Sequence, residues 1–475
     1  MSTDELCRFG VFELARMYRR GEASPVEVVE AHLRRCEELN PVLNAFLLIM
    51  RDSAVQAAHA AEALFRSGVD LGPLQGIPVS VKDLIRVRGT RTTAASRVLL
   101  SETPDSEDAP VVLQLRRAGA VIIGKTNLHE FATGDPDPTG PFGLVQNPRR
   151  IGHHPGSSSS GAGAAAAAGL GVIAIGTDTG GSVRIPAYLC GVAGIKPTNG
   201  VMDMEGIIPL SPTLDTVGPL ARRVRDLGAV LEAWGGRPIV GIDPTPGTGS
   251  GSGDSLSRPL RGWRVGAAGG SLLRGMQPDV ASAYAATVRM LADRGCQLTE
   301  FDPPGFESMY DLNLTITQAE GSAVHEAYRD RESLYGRNFR ERILVGREMK
   351  AVTYLAARKR QVELQQEWTR RARDFGVLVL PSGPAVSPPH GVTEIQLGGE
   401  KLPFRKALSL FTRPGNLLGW PALSVPNGVN GDGLPTGIQI MGLPGSEGRL
   451  LALGEVIEDA LGVAEKLGIE PRRPG

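Results

Sequence analysis

Short apolar runs closed by glycine or proline recur along this chain, with helix-patterned segments between them. That alternation limits the fold more than any other feature does. Gly76-Ile77-Pro78-Val79-Ser80-Val81-Lys82-Asp83 alternates apolar and polar residues after a turn signal. It predicts a strand with Ile77, Val79 and Val81 on one face and Ser80 and Lys82 on the other. A helix over about Glu107 to Arg117, Gly119, and Ala120-Val121-Ile122-Ile123 make a helix-to-strand step. Leu170 to Ile175, Trp263 to Ala267, Val377 to Pro381, Ala422 to Pro426 and Gly437 to Ile440 predict further strands. Strands alternating with helices imply a single large α/β domain, with a mostly parallel mixed central β-sheet covered by helices on both faces.

Local chemistry marks the helix ends. Ser24-Pro25-Val26-Glu27 combines a serine N-cap, proline at the first helical position and glutamate three residues after the cap. Val26, Val29, Leu33 and Cys36 follow at helical spacing, and Asn40-Pro41 is expected to stop the run. A second helix is expected from Ser53 to Arg66, ending at Gly68, and another from Pro278 to Arg294. Residues 1–70 thus form a helical segment packed on the core, and 71–235 carry the chemistry described below. Residues 236–262 read as a Gly/Ser/Pro-rich insertion, expected to be mobile and dispensable over Asp243 to Pro259. Residues 263–475 complete the same domain with pocket helices and the remaining strands.

Composition excludes several classes. The 475 residues are 41% hydrophobic and 21% charged, ordinary globular values. Lys plus Arg equals Asp plus Glu at 51 each, without the basic excess of a nucleic-acid binder. The pairs Arg19-Arg20, Arg34-Arg35 and Arg370-Arg371 read as solvated helix faces. Four dispersed cysteines make neither a disulfide framework nor a zinc site. The polar N-terminus does not read as a secretory signal, so none is expected, and no apolar run reaches the ~20 residues of a membrane span. A cytoplasmic protein without metal or cofactor is the expectation, with no nucleic-acid or membrane partner; a homodimer is compatible with it.

Three segments carry chemistry. Lys82 lies on the inward row of a core strand, where an ammonium is costly. It either snorkels or pairs with Asp83, or desolvation lowers its pKa until the neutral amine serves as a base. Pro155-Gly156-Ser157-Ser158-Ser159-Ser160-Gly161 runs into an alanine-rich helix pattern, so small residues open a helix and let backbone approach a ligand. Gly176-Thr177-Asp178-Thr179-Gly180-Gly181-Ser182-Val183-Arg184 follows an apolar strand. Two glycines before a serine suit a sharp turn whose N–H groups converge, the geometry an oxyanion hole requires. A phosphate loop would need a following Gly-Lys-Ser/Thr, which is missing.

Together these segments resemble the amidase signature family. G-T-D-T-G-G-S-V-R-I-P-A and G-I-P-V-S-V-K-D are near-verbatim family motifs in the family order. G-K-T-N-L-H-E-F from Gly124, L-D-T-V-G-P from Leu214 and G-W-P-A-L-S-V-P from Gly419 belong to the same pattern. The resemblance implies a hydrolase that cleaves a C–N bond of a small amide, anilide or carbamate through a seryl acyl-enzyme. It implies Ser182 as nucleophile, Lys82 as base and a bridging serine after a cis peptide bond. Family spacing places that serine at Ser158, with Ser159 as the alternative. Thr179, Gly180, Gly181 and Ser182 would supply oxyanion N–H groups, and Asp178 and Arg184 would support the loop.

The rival readings differ in class. A Ser-His-Asp triad would need a Gly-x-Ser-x-Gly elbow, and none has suitable partners. His153-His154 read as surface loop and His129 as a local packing residue. A non-catalytic interaction module would be expected to have lost a triad residue; all three are kept. The glutamine-hydrolysing component of the tRNA-dependent amidotransferase is the nearest alternative function. That component keeps an aspartate three residues before its Thr-x-Pro-x-Asn element, here Thr412 to Asn416, and Ser409 occupies the position. Arg342 stands where its carboxylate-binding arginine is expected, which leaves glutamine open. Ala132 to Phe142 and Glu320 to Ala357 are expected to wall the pocket.

Overall fold

The structure is a computed structural model and describes residues 3–133, 136–235, 260–273, 275–302 and 304–472. The expected insertion from Asp243 to Pro259 lies outside the described residues. In chain order the strands are β1 (Phe46–Ile49), β2 (Pro78–Lys82), β3 (Val121–Thr126), β4 (Ile173–Asp178), β5 (Ala193–Lys196), β6 (Thr216–Ala221) and β7 (Arg264–Ala268). They continue with β8 (Gln297–Phe301), β9 (Val377–Pro381), β10 (Glu394–Leu397), β11 (Glu400–Pro403), β12 (Ala422–Val429) and β13 (Pro435–Met441). Eleven of these described strands form one mixed sheet, ordered β1-β3-β2-β4-β6-β5-β12-β13-β9-β7-β8, and β10 and β11 pair separately.

Parallel pairs occupy the two flanks, β3-β2-β4 on one side and β9-β7-β8 on the other. The middle is antiparallel: β4-β6, β6-β5, β5-β12, β12-β13 and β13-β9. Every residue of β2, β3, β4, β5, β6 and β9 is buried, so helices cover the sheet on both faces. The side chains of Val79, Ile173, Val217 and Leu423 belong to one core that runs the length of the sheet.

The helix that starts after Ser24 has the expected capping box: Glu27 N–H donates to Ser24 Oγ, and Ser24 N–H donates to Glu27 Oε2. It does not stop at Pro41 but continues to Leu43, with Asn44 left-handed at its end. Proline's fixed φ suits a helix, and so near the C-terminus it removes only one hydrogen bond. Arg35 is not a solvated face. It is buried, with Nε donating to Ala168 O at 2.7 Å and Nη2 to Ile469 O at 3.0 Å.

The serine tract opens a buried helix, Ser160–Ala167, made only of serine, glycine and alanine. Small side chains let it lie against β4 and the helix Arg184–Cys190, which carries the chain out of the Gly-Gly-Ser turn. Among the described residues no helix is long and apolar enough to cross a membrane.

Candidate active site

β2 ends on Lys82, whose side chain is fully buried. Its Nζ donates to Ser158 Oγ at 2.9 Å and to Thr177 Oγ1 at 2.8 Å. Asp83 has another partner: Lys125 Nζ lies 2.9 Å from its Oδ1, and Thr93 N–H donates to its Oδ2 at 3.0 Å. The adjacent acid is therefore engaged elsewhere. Burial pushes the Lys82 pKa down to about 7, against the upward pull of the Asp215 and Asp178 charges.

Ser158 sits just before the small-residue helix, and the Ser157–Ser158 peptide bond is cis. Its carbonyl accepts from His129 N–H at 3.1 Å. Ser159 lies deeper. Its hydroxyl donates to Thr177 O at 3.2 Å, beneath the strand end, and it is fully buried.

β4 delivers Asp178 to the base of the turn that carries Ser182. Gly181 has φ +122°, and a Cβ there would run into Thr412 Oγ1, so only glycine fits. Asp178 binds the turn from below: Gly181 N–H donates to Oδ1 at 2.8 Å and Val183 N–H to Oδ2 at 3.1 Å. Arg184 grips the same carboxylate with two bonds, Nε to Oδ2 at 3.0 Å and Nη2 to Oδ1 at 2.9 Å. Burial alone would raise the Asp178 carboxyl, but the Arg184 guanidinium and the Asn416 amide hold it well below the usual carboxylate range.

Gln439, Asp215 and Thr177 of this network were not singled out from the sequence, and Thr412 and Asn416 only as the ends of the Thr-x-Pro-x-Asn element. Arg184 Nη1 donates to Gln439 Oε1 and Thr412 O, its Nη2 to Asn416 Oδ1, and Asn416 Nδ2 to Asp178 Oδ1. Thr412 Oγ1 donates to Gly180 O at 2.8 Å. Asp215 accepts from Thr179 Oγ1, from Leu210 N–H at 2.8 Å and from Ser211 N–H at 2.9 Å, and burial raises its pKa to about 6. Asp215 lies inside the L-D-T-V-G-P motif and Thr177 inside G-T-D-T-G-G-S, which was the only signal for either.

Ser158, Thr179, Gly180 and Ser182 line one cleft of roughly 540 Å³, its open mouth included. Ala132, Thr133 and Arg342, from the two segments expected to wall the pocket, line it as well. Glu320 serves elsewhere, accepting from Ser211 Oγ and Thr213 Oγ1, both at 2.6 Å. Ser409, Arg405 and Arg413 also line it. His154 is not surface loop: it is buried between the rings of His129, His390 and Phe404. Among the described residues no three His, Cys, Asp or Glu side chains are placed to hold a metal ion.

Comparison with known proteins fixes the class of this protein. The family model for amidases matches residues 27–451, and the chain belongs to that family. A curated relative, the A subunit of the glutamyl-tRNA(Gln) amidotransferase of Synechococcus sp. (strain RCC307), is 34% identical over 96% of this chain and 97% of its own length. The crystal structure of an amidase aligns with a TM-score of 0.86 at 32% identity, covering 96% of this chain and 100% of that one. Native peptide amidase from Stenotrophomonas maltophilia aligns with a TM-score of 0.80 at 30% identity, covering 95% and 97%.

Proposed function

We propose that this enzyme cleaves a C–N bond of a small amide-type molecule through an acyl-enzyme on Ser182. The observation that carries the proposal is the contact at 2.9 Å between buried Lys82 and Ser158, which lines one cleft with Ser182. Neutral Lys82 takes the proton of Ser158. Ser158 takes that of Ser182 as its Oγ attacks the carbonyl carbon, since a serine hydroxyl is a weak nucleophile until a base removes its proton. Ser158 then returns a proton to the departing nitrogen, and water releases the acyl group by the same relay. Lys82 reaches Ser158 and not Ser159, which supports Ser158 as the bridge.

The oxyanion would be held by N–H groups of the turn. Thr179, Gly180 and Gly181 all belong to it; the Gly181 N–H is already given to Asp178, so Thr179, Gly180 and Ser182 carry the role. Asp178 and Arg184 act as positioning residues. They tie both ends of the turn to β13 and to the Thr412–Asn416 segment.

A second reading, glutamine hydrolysis within an amidotransferase complex, is favoured by the likeness to the Synechococcus relative. Against it, the cleft carries Ser409 where the glutamine-hydrolysing component has an aspartate, and Ser409 Oγ accepts from Arg413. The purified chain assayed alone on amides, anilides, esters and carbamates separates the two. Turnover without other subunits is expected. Silence on all of them, with glutamine cleaved only after partner subunits are added, would overturn the first reading.

A further inference from the structure

Two residues that line the cleft from distant parts of the chain are joined to each other. Arg405 Nη2 donates to Thr133 Oγ1 at 3.1 Å, across 272 positions of sequence. Thr133 follows the bend made by Phe131 and Ala132, both left-handed at φ +44° and +60°. It is buried, and its N–H donates to Glu130 O at 3.0 Å. Arg405 stands on the short helix Phe404–Ser409. The bonded pair is a bar in the cleft wall, and no substituent passes it without breaking the bond.

The bar stands at the nitrogen end of the cleft. In the proposed relay Ser158 hands its proton to the departing nitrogen, so the amine half lies beside Ser158 and its neighbour Ser157. That segment is pressed on the helix Arg184–Cys190: a Cβ on Gly156 would lie 2.5 Å from Pro186 Cα and 2.9 Å from the Ile185 carbonyl carbon. Ile185 shares one apolar cluster with Phe404, Ala407 and Leu408, from the helix that carries Arg405. Ser157, Ile185, Leu408 and Arg405 all line the cleft. A substituent on the nitrogen therefore runs from Ser158 past Ile185 and Leu408 to the guanidinium.

The mounting of the bar is firm. Ser409 Oγ donates to Arg405 O at 2.7 Å, and Tyr188 Oη donates to Leu408 O at 3.3 Å. The second bond ties the helix of Arg405 to the one that leaves the Ser182 turn, which keeps the distance between bar and nucleophile constant.

We infer that Arg405, braced on Thr133, sets the upper size of the departing amine. The substrate is then an amide whose nitrogen carries hydrogen or a small alkyl group, not a bulky aromatic one. This rests on the hydrolase reading above and adds the substrate class on the amine side. A larger group enters only when the bond breaks and the guanidinium swings away. Losing a hydrogen bond from a charged donor costs about tenfold or more in rate.

The test measures amine release by the purified enzyme from the N-methyl and N-benzyl amides of acetic, butyric and phenylacetic acids. Both leaving groups are alkylamines, so their ratio within one acyl series reports fit more than reactivity. In at least one series kcat/KM should favour the N-methyl amide by about tenfold or more. The ratio should fall toward one in Arg405→Ala, and also in Thr133→Val, which keeps the bulk of threonine and removes the acceptor. It should persist in Lys406→Ala, on the same helix but outside the cleft, with its ammonium over the Tyr310 ring. A native enzyme with no N-methyl preference in any series overturns the inference. So does a ratio kept in Arg405→Ala or Thr133→Val, or one lost in Lys406→Ala. Fluorophosphonate labelling shows that each variant is folded and separates the failures. No amine released in any series by protein that labels at Ser182 removes the small-amine substrate and leaves the hydrolase. Native protein that fails to label loses both.

Discussion

Lys82 Nζ lies 2.9 Å from Ser158 Oγ, and neither residue shares that contact with a carboxylate. The second oxygen on the amine is the hydroxyl of Thr177, which can accept from it in either protonation state. Among the described residues the side-chain hydrogen bonds of the lysine go to two hydroxyls, in a fully buried place where an ammonium is disfavoured. Burial thus brings the Lys82 pKa down to about 7, where the neutral amine that the proposed relay needs is present at neutral pH.

Activity should therefore rise with pH along a single limb centred near 7 and level off above about pH 8. The sign follows from the base: the limb appears as the ammonium loses its proton. Lys82→Arg should lose most activity at every pH, because arginine does not deprotonate in this range. A pH–rate profile of both proteins checks this, and near-native turnover by Lys82→Arg would place the base elsewhere.

Asp215 raises the Lys82 pKa through its charge. Asp215→Asn keeps the size and one acceptor but removes that charge, so the limb should move to lower pH. The shift is read from kcat/KM against pH. A shift upward would mean that Asp215 acts on the site through something other than its charge on Lys82.

Asp178→Ala should unfold at markedly lower urea concentration. It leaves Arg184 buried and uncompensated, a loss of about 3–5 kcal/mol. The folded-state pKa of Asp178 is depressed, so its stabilising share is complete above its unfolded pKa near 3.9 and is lost as pH falls through the folded value. An unchanged urea midpoint at pH 7 would contradict the assignment of Asp178 as the anchor of the turn.

Local pattern made much of this molecule legible in the sequence. β2, the capping box at Ser24 and the Gly-Gly-Ser turn each depend on residues a few positions apart, and Lys82 contacts Ser158, which lines one cleft with Ser182. What depends on distant partners was not legible. Strand–helix alternation implies parallel neighbours, yet β12 and β13 are joined by a short turn and the middle of the sheet runs antiparallel. Arg35 and Arg413 look like any surface arginine until the chain folds carbonyls, an amide and a ring around them. His154 is adjacent to His153 in sequence, but only one of the two rings turns into the core.

The central claim is that Ser182 carries the acyl group. Incubation with a fluorophosphonate, followed by intact mass and peptide mapping, tests it most directly. The native protein should gain one adduct on the peptide that contains Ser182, at a rate that follows the deprotonation of Lys82, and Ser182→Ala should gain none. An adduct on Ser158 or Ser159, or labelling that survives Ser182→Ala, would contradict the account.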